Sequence, residues 1–426
     1  MSMKRYDSYK DTGISWIGEI PSHWKVNRMR YVISYAKGKN PKELYFDSEE
    51  GMLPYLSMDY LRETFDFTQY SYTEEFSIIC KNGDIVLLWD GANAGEFIKS
   101  KDGILCSTCA LIKPKKISSQ YFWYLSKSFQ VHLQNMTNGM GVPHVDSEEL
   151  KNLTAIVPSI EEQKAIAEYL DKKCGSIDGI IATLERRIAL LNELKQTIIT
   201  EAVTRGTNPN VPLKDSGIDW IGRIPEHWDI RRLKFWLKTP LMYGANEAPD
   251  NISEADPRYI RITDIDDNGE LKNDTYCTLS IDIANPYLIQ RGDILFARSG
   301  ATVGKTYRHI EDMSACFAGY LIKATPDSRI SDSEYIYYFT KSMCFANWKD
   351  SINVQATIQN IGADKYANLS IPLPPLDEQK AISSLIKDKI KPLDAALTKA
   401  KREVELLREY KQSVITEAVT GKIKVI

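Results

Sequence analysis

The strongest constraint on this chain is that it writes one long stretch twice. Residues Ser159 to Gly206 align without a gap on Pro375 to Lys422 at an offset of 216. Glu162-Gln163-Lys164-Ala165-Ile166 falls on Glu378-Gln379-Lys380-Ala381-Ile382, and Thr200-Glu201-Ala202-Val203-Thr204 on Thr416-Glu417-Ala418-Val419-Thr420. A tandem duplication of this length sets the architecture before any local motif does. Each copy predicts a short helix, a break and a long helix. Ser159 with Glu162 three residues on forms a capping box, and Ala165, Ile166, Tyr169 and Leu170 share one helical face. The breaks are expected at Gly175-Ser176 and at Pro392, because proline suits a helix start and not its interior. Beyond them, Ile177, Ile181, Leu184, Ile188, Leu191, Ile198 and Ala202 keep a heptad spacing, as do Leu393, Leu397, Ala400, Val404, Leu407, Val414 and Ala418. Both seams carry a lysine at the same step, Lys195 and Lys411, and a polar seam residue fixes register at a cost in stability. Two matched seams in one chain most simply pack on each other; the alternative is that each helix covers only its own domain.

The same doubling runs through the rest of the chain. GISWIGEIPSHW (Gly13 to Trp24) and GIDWIGRIPEHW (Gly217 to Trp228) share nine of twelve residues at an offset of 204. Their Trp, Ile and Pro residues are expected to anchor a domain's first segment, and His23 and His227 have no ligand-like neighbour in sequence. Between these motifs and the helices lie two regions of short β-like runs, Tyr31 to Val157 and Phe235 to Leu373. Tyr55 to Asp59 corresponds to Tyr259 to Thr263, Gly83-Asp84-Ile85-Val86-Leu87 to Gly292-Asp293-Ile294-Leu295-Phe296, and Asn152 to Pro158 to Asn368 to Pro374. The fill between these points diverges, as it would in two domains that read two different things. Arg205 to Pro212 (RGTNPNVP) reads as a linker.

Composition excludes several classes. At 426 residues, with 43% hydrophobic and 26% charged side chains, the chain has the makings of two or three domains with proper cores. No apolar run approaches the roughly 20 residues that span a bilayer, and MSMKRYDSYKDTG has no signal-peptide core. Seven scattered cysteines argue for reduced thiols in a cytosol. The net charge of −3 is not that of a protein gripping nucleic acid unaided, so any such role rests on local basic patches or on partners.

Three local patterns imitate active sites. Gly300 to Thr306 (GATVGKT) resembles a phosphate-binding loop, but three residues separate the glycines instead of four and no helical pattern follows. Its counterpart, Gly91 to Glu96, has Glu where the lysine would stand. Both are expected to be tight turns with a glycine at positive φ. Cys106-Ser107-Thr108-Cys109 is a lone CxxC, and a zinc site needs four ligands; two buried thiols are expected. Asn285-Pro286-Tyr287 is too short for an adenine-methylation motif. No nuclease pattern or nucleophile elbow is present, so no active site is expected.

Taken together, the WIGxIPxHW motif, the GDI strand with its Gly-rich turn, and the PLxEQ lead into a helix closed by ITEAVT resemble the specificity (S) subunit of type I DNA restriction–modification systems over essentially the whole length. That resemblance implies an α+β fold: two mixed α/β target-recognition domains separated by two long antiparallel coiled-coil helices, internally duplicated about a pseudo-two-fold axis. The expected segments are 1–158 (first recognition domain), 159–206 (first helical region), 207–374 (linker and second recognition domain) and 375–426 (second helical region). It implies a non-catalytic reader of a bipartite, asymmetric site on double-stranded DNA. The helices would act as spacer and as docking site for two methyltransferase (M) subunits, with restriction (R) motor–nuclease subunits besides. No cofactor is expected on this chain; S-adenosylmethionine belongs to the partner methyltransferase, ATP and Mg to the restriction subunit. The expected location is the cytoplasm of a bacterium or archaeon, with no membrane partner.

Base edges favour Arg, Lys, Asn and Gln, and phosphates favour Arg and Lys. On that chemistry the candidate DNA contacts are Ser57, Trp89, Asn93, Lys99 and His144 in the first region. In the second they are Arg261, Arg298, Ser299, Lys305, Arg308, Gln359 and Asn360. Asp90 and Glu96 stand where the second copy has Ser299 and Lys305. The helix from Ile177 to Thr204 would span roughly 42 Å, against about 34 Å between half-sites one DNA turn apart. Two other readings are a DNA-binding or coiled-coil adaptor without a methyltransferase partner, and a fused enzyme. The adaptor predicts long helices with no apolar surface left over once paired, which Leu190, Leu194, Leu406 and Tyr410 oppose.

Overall fold

The structure, a computed structural model, describes residues 5–14, 17–64, 67–137, 141–249, 253, 255–266, 268–353 and 360–425. It divides into two compact units, 1–185 with 402–426, and 186–401. The division falls inside both long helices.

In the first unit the duplicated GDI motif starts the central strand. Asp84 closes the turn before it, its carboxylate accepting from Lys81 N at 2.8 Å, and Ile85–Leu88 is then buried along its whole length. This strand lies in an antiparallel four-stranded sheet with the order Ile33–Lys37, Cys109–Pro114, Ile85–Leu88, Phe97–Lys99. The helix Ser119–Asn135 covers it, burying Tyr121, Phe122, Leu125, Phe129 and Leu133, a spacing that fits one helical face. Beside it, Met52–Leu56 and Gly103–Leu105 pair in parallel. The second unit repeats the plan. Asp293 accepts from Gln290 N at 2.8 Å; the sheet runs Met242–Tyr243, Leu321–Ala324, Ile294–Ala297, Thr306–Arg308; and Arg258–Ile260 pairs in parallel with Ala315–Phe317.

The shared motifs are the joints of this frame. Trp24 Nε1 donates to Glu162 at 2.9 Å and His23 Nε2 lies 2.8 Å from the same oxygen. Trp228 Nε1 and His227 Nε2 meet Glu378 at 3.0 and 2.9 Å. Gln163 accepts from Ser118 N, the cap of the covering helix, at 2.8 Å, and Gln379 accepts from Asp332 N at 2.8 Å. The HW and EQ pairs recur because together they fasten the first segment, the covering helix and the long helix.

The long helices are unbroken, Ile160–Arg205 and Leu376–Val419, which corrects the breaks expected at Gly175-Ser176 and Pro392. Pro392 lies inside its helix. Local propensity opposes this, but the apolar positions on either side, Ile390 and Leu397, are buried, and packing overrides a single lost hydrogen bond. The Ser159–Glu162 capping box is present, at 3.2 and 3.1 Å.

Of the seam residues, Ile177, Ile181, Leu397, Val404 and Val414 are buried. Leu184, Ile188, Leu191, Ile198, Leu393 and Leu407 are half-buried, and Ile199 is the buried neighbour of Ile198. Antiparallel pairing is fixed by a reciprocal contact. In the second unit Lys195 Nζ meets Asp394 at 2.5 Å, and in the first Lys411 Nζ meets Asp178 at 2.6 Å. Each seam lysine thus takes the aspartate that is the repeat-mate of the other's. Each core is also closed by the end of the other copy's helix. The buried Tyr121 hydroxyl lies 3.2 Å from Ile156 O and 3.2 Å from Val419 O; that of Tyr335 lies 3.0 Å from Pro372 O and 3.2 Å from Val203 O.

Candidate nucleic-acid interface

In both units the central strand runs out into a turn at a rim built on one backbone pattern. In the second, Arg298 N donates to Tyr320 O at 3.0 Å and Arg298 O accepts from Ile361 N at 2.7 Å. In the first, Trp89 N donates to Thr108 O and Trp89 O accepts from Val145 N, both at 2.8 Å. One residue on, Ser299 bridges Asn360 and Asp90 bridges His144. The Gly-rich segments follow as tight turns. Gly91, Gly95, Gly300 and Gly304 all have positive φ, so both glycines of each turn, rather than one, adopt a conformation that side chains resist. After Gly304 comes a strand, Thr306–Arg308, and not a helix.

On this common backbone the side chains differ. Trp89 is buried against Tyr35, ring centroids 4.9 Å apart. Lys37 Nζ lies 5.6 Å from the Trp89 ring and 2.9 Å from Asp90. In the second unit the Arg298 guanidinium lies 4.9 Å from the centre of the Tyr243 ring, and Tyr243 OH accepts from Ala363 N at 2.9 Å. The structure therefore brings Trp89, Asn93 and His144 to one rim and Arg298, Ser299, Lys305 and Asn360 to the other. Asn93 and His144 are exposed, as is Asn360.

The remaining candidates are placed differently. Ser57 caps the short helix Met58–Arg62 by accepting from Tyr60 N at 3.2 Å. Arg261, at the equivalent step, is held by Asp264 through two bonds at 3.0 and 3.1 Å and donates to Thr275 O at 2.9 Å. Arg308 meets Glu334 at 2.8 Å. Lys99 is exposed with its Nζ 5.3 Å from the Trp123 ring. Gln359 lies outside the described residues. Glu96 is ion-paired with Arg62.

Tyr35, Lys37 and Tyr243 complete the rims and were not singled out from sequence. The signal available was the glycine that follows each strand, Gly38 and Gly244. A Cβ there would sit 2.2 Å from Cys106 O and 2.3 Å from Phe317 O, so the backbones touch at the same place in both copies.

Lys99, Lys127, Arg408 and Lys411 line an open groove of about 750 Å³ in the first unit, together with Asp171, Asp178 and Glu185. Its mixed charge does not favour a phosphate backbone. All seven cysteines are free and buried, Cys106 and Cys109 included. Among the described residues no group of His, Cys, Asp or Glu could hold a metal ion, and no helix is long and apolar enough to cross a membrane.

Known proteins share this plan. The type I restriction modification DNA specificity domain family matches residues 21–196 and 246–407. The type I restriction enzyme MjaVIII specificity subunit of Methanocaldococcus jannaschii is 29% identical over 419 residues, covering 95% of this chain and 94% of that protein. The EcoKI specificity subunit of Escherichia coli K12 is 21% identical over 95% of this chain and 90% of its own. A chain from a solved structure concerned with complex assembly and conformational transition of the type I R-M system superposes with a TM-score of 0.63 at 15% identity, covering 94% of this chain and 98% of that one. With two matches that together span most of its length, laid over two copies of one frame, this chain belongs to the family of type I restriction–modification DNA specificity subunits.

Proposed function

We propose that each unit reads one half of a bipartite, asymmetric DNA site, and that the chain carries two methyltransferase subunits to that site. Members of the family are specificity subunits, and catalysis resides in the M and R subunits of their complexes. The observation that carries the division of labour is the pair of rims. Trp89, Asp90 and His144 stand on the same backbone positions as Arg298, Ser299 and Asn360. A frame kept constant while its rim chemistry changes suits two readers of different sequences.

Docking of two identical partners is supported by a surface that is also written twice. Leu190 and Leu194 are 56% and 47% exposed, and their repeat-mates Leu406 and Tyr410 are 46% and 42% exposed. Residues four apart share a helix face, and these pairs lie off the seam. S-adenosylmethionine is assigned to the methyltransferase partner, ATP and Mg to restriction subunits that join the complex, and the cytoplasm to the assembly.

The test is a long-read methylome of a methylation-free host expressing this chain with its cognate methyltransferase. One bipartite motif with modified adenines, lost when this chain is omitted, is the expected result. Absence of new methylation despite an assembled complex would sink the proposal.

A further inference from the structure

We infer that Arg298 is a base-reading residue of the second unit and that it takes a guanine. This assignment rests on the DNA-reading function proposed above and adds the base and the residue that reads it.

The first observation is a comparison among arginines. Six lie between residues 236 and 374. Arg258 donates to Lys272 O at 2.6 Å, Arg261 and Arg329 are bound by Asp264 and Asp327, Arg291 meets Asp312 at 3.3 Å and Arg308 meets Glu334 at 2.8 Å. Their donors already serve the fold. Arg298 alone among them makes no side-chain hydrogen bond with any described residue, and its Nε is buried without a partner. A guanidinium offers five N–H donors and cannot lose its proton; no described residue engages the terminal amino groups of Arg298, so they are left for a ligand's acceptors to satisfy.

The second observation is how it is held. The Arg298 backbone is bonded on both sides, to Tyr320 and to Ile361. Its guanidinium stacks on Tyr243, and that ring is itself tied to Ala363 N. A phosphate contact needs only a reachable charge, which a flexible side chain supplies. A planar fork fixed by stacking suits a planar pair of acceptors, and on DNA the O6 and N7 of guanine present that pair in the major groove. At the equivalent position of the first unit the side chain is the buried Trp89, so no guanidinium is presented there. Guanine reading from this step therefore belongs to one half-site only.

The test uses the assembled complex with its methyltransferase. Wild type, Arg298→Ala and Arg298→Lys are compared by methylome and by methylation of duplexes permuted one base pair at a time. Both variants are expected to lose discrimination at a single G·C pair in one half-site, by about ten- to a hundredfold, with the other half-site unchanged. An unaltered motif would overturn the assignment. So would an equal loss on every permuted duplex with a shallower salt dependence, the signature of a phosphate contact. Arg298→Lys keeps the charge and the bulk, so it remains informative if the alanine variant fails to assemble. A wild-type complex that methylates no bipartite motif refutes the broader function. A wild-type motif left intact by both variants refutes only Arg298.

Discussion

Lys127 and Lys341 occupy equivalent positions at the edge of each sheet. Lys127 Nζ bonds Phe97 O and lies 4.5 Å from the Trp123 ring centre. Lys341 Nζ donates to Thr306 O at 3.2 Å and lies 4.9 Å from Tyr337. Burial pushes both ammonium groups down to about 8, against about 10.4 in an unfolded chain. Below about pH 8 both states hold the proton. Between about pH 8 and pH 10 the unfolded chain keeps protons on these two lysines that the folded one has released, so their own contribution to stability rises with pH. It opposes the buried thiols of Cys80, Cys316 and Cys344, whose pKa values burial raises, so Lys127→Met with Lys341→Met is expected to shift the slope of the urea midpoint against pH downward in this window; an unchanged slope in the double variant would contradict it. Neither lysine stands out in sequence, because neither lies in a matched motif. The same blindness applies to the candidate contacts. Arg261 and Arg298 are alike as letters, and only Asp264, bonded to one of them, shows that its donors are already used.

The long helices show what periodicity conveys and where it stops. The heptad positions and the seam lysines were legible, since apolar spacing reports the face that packs. That each lysine would find the other copy's aspartate required the antiparallel register, which no spacing within one helix contains. Pro392 misled for a related reason. A proline removes one backbone donor and crowds the preceding turn, a cost of about 3 kcal/mol in a helix interior, but that cost is local while the helix is held by packing along its length. Its repeat-mate Ser176 instead bonds Lys172 O at 2.9 Å. Pro392→Ala should therefore stabilise the protein. Restoring the bond and relieving the clash is offset by about 1 kcal/mol of regained unfolded-state entropy, leaving a net gain of about 2 kcal/mol in denaturant unfolding. No gain would mean that the helix has relaxed around the ring at no cost.

At the scale of the whole molecule, chain order and folding units differ. The sequence reads as one series of segments written twice, yet the last stretch of the chain belongs to the first unit. Val414, Ile415, Ala418, Val419 and Ile423 share a core with Trp24, Tyr121, Ile156, Leu170 and Cys174. Ile199, Ala202 and Val203 do the same for Trp228, Tyr335, Ile382 and Ile386 in the second unit. Duplication could be counted from the letters, but which copy's helix seals which core depends on contacts hundreds of residues apart. A chain ending at Lys401 tests this directly. It would lack four large buried aliphatic side chains of the first core, worth about 1.5–3 kcal/mol each. Their sum, roughly 6–12 kcal/mol, is comparable to the 5–15 kcal/mol that holds a typical domain together. Residues 186–401 would keep their own core whole. Hydrogen exchange of the truncated chain should therefore show lost protection in the strands Ile85–Leu88 and Cys109–Pro114 and retained protection in Ile294–Ala297 and Leu321–Ala324. Equal loss in both sheets would mean that the two units do not unfold independently, and protection kept in the first would mean that the C-terminal helix end does not hold its core.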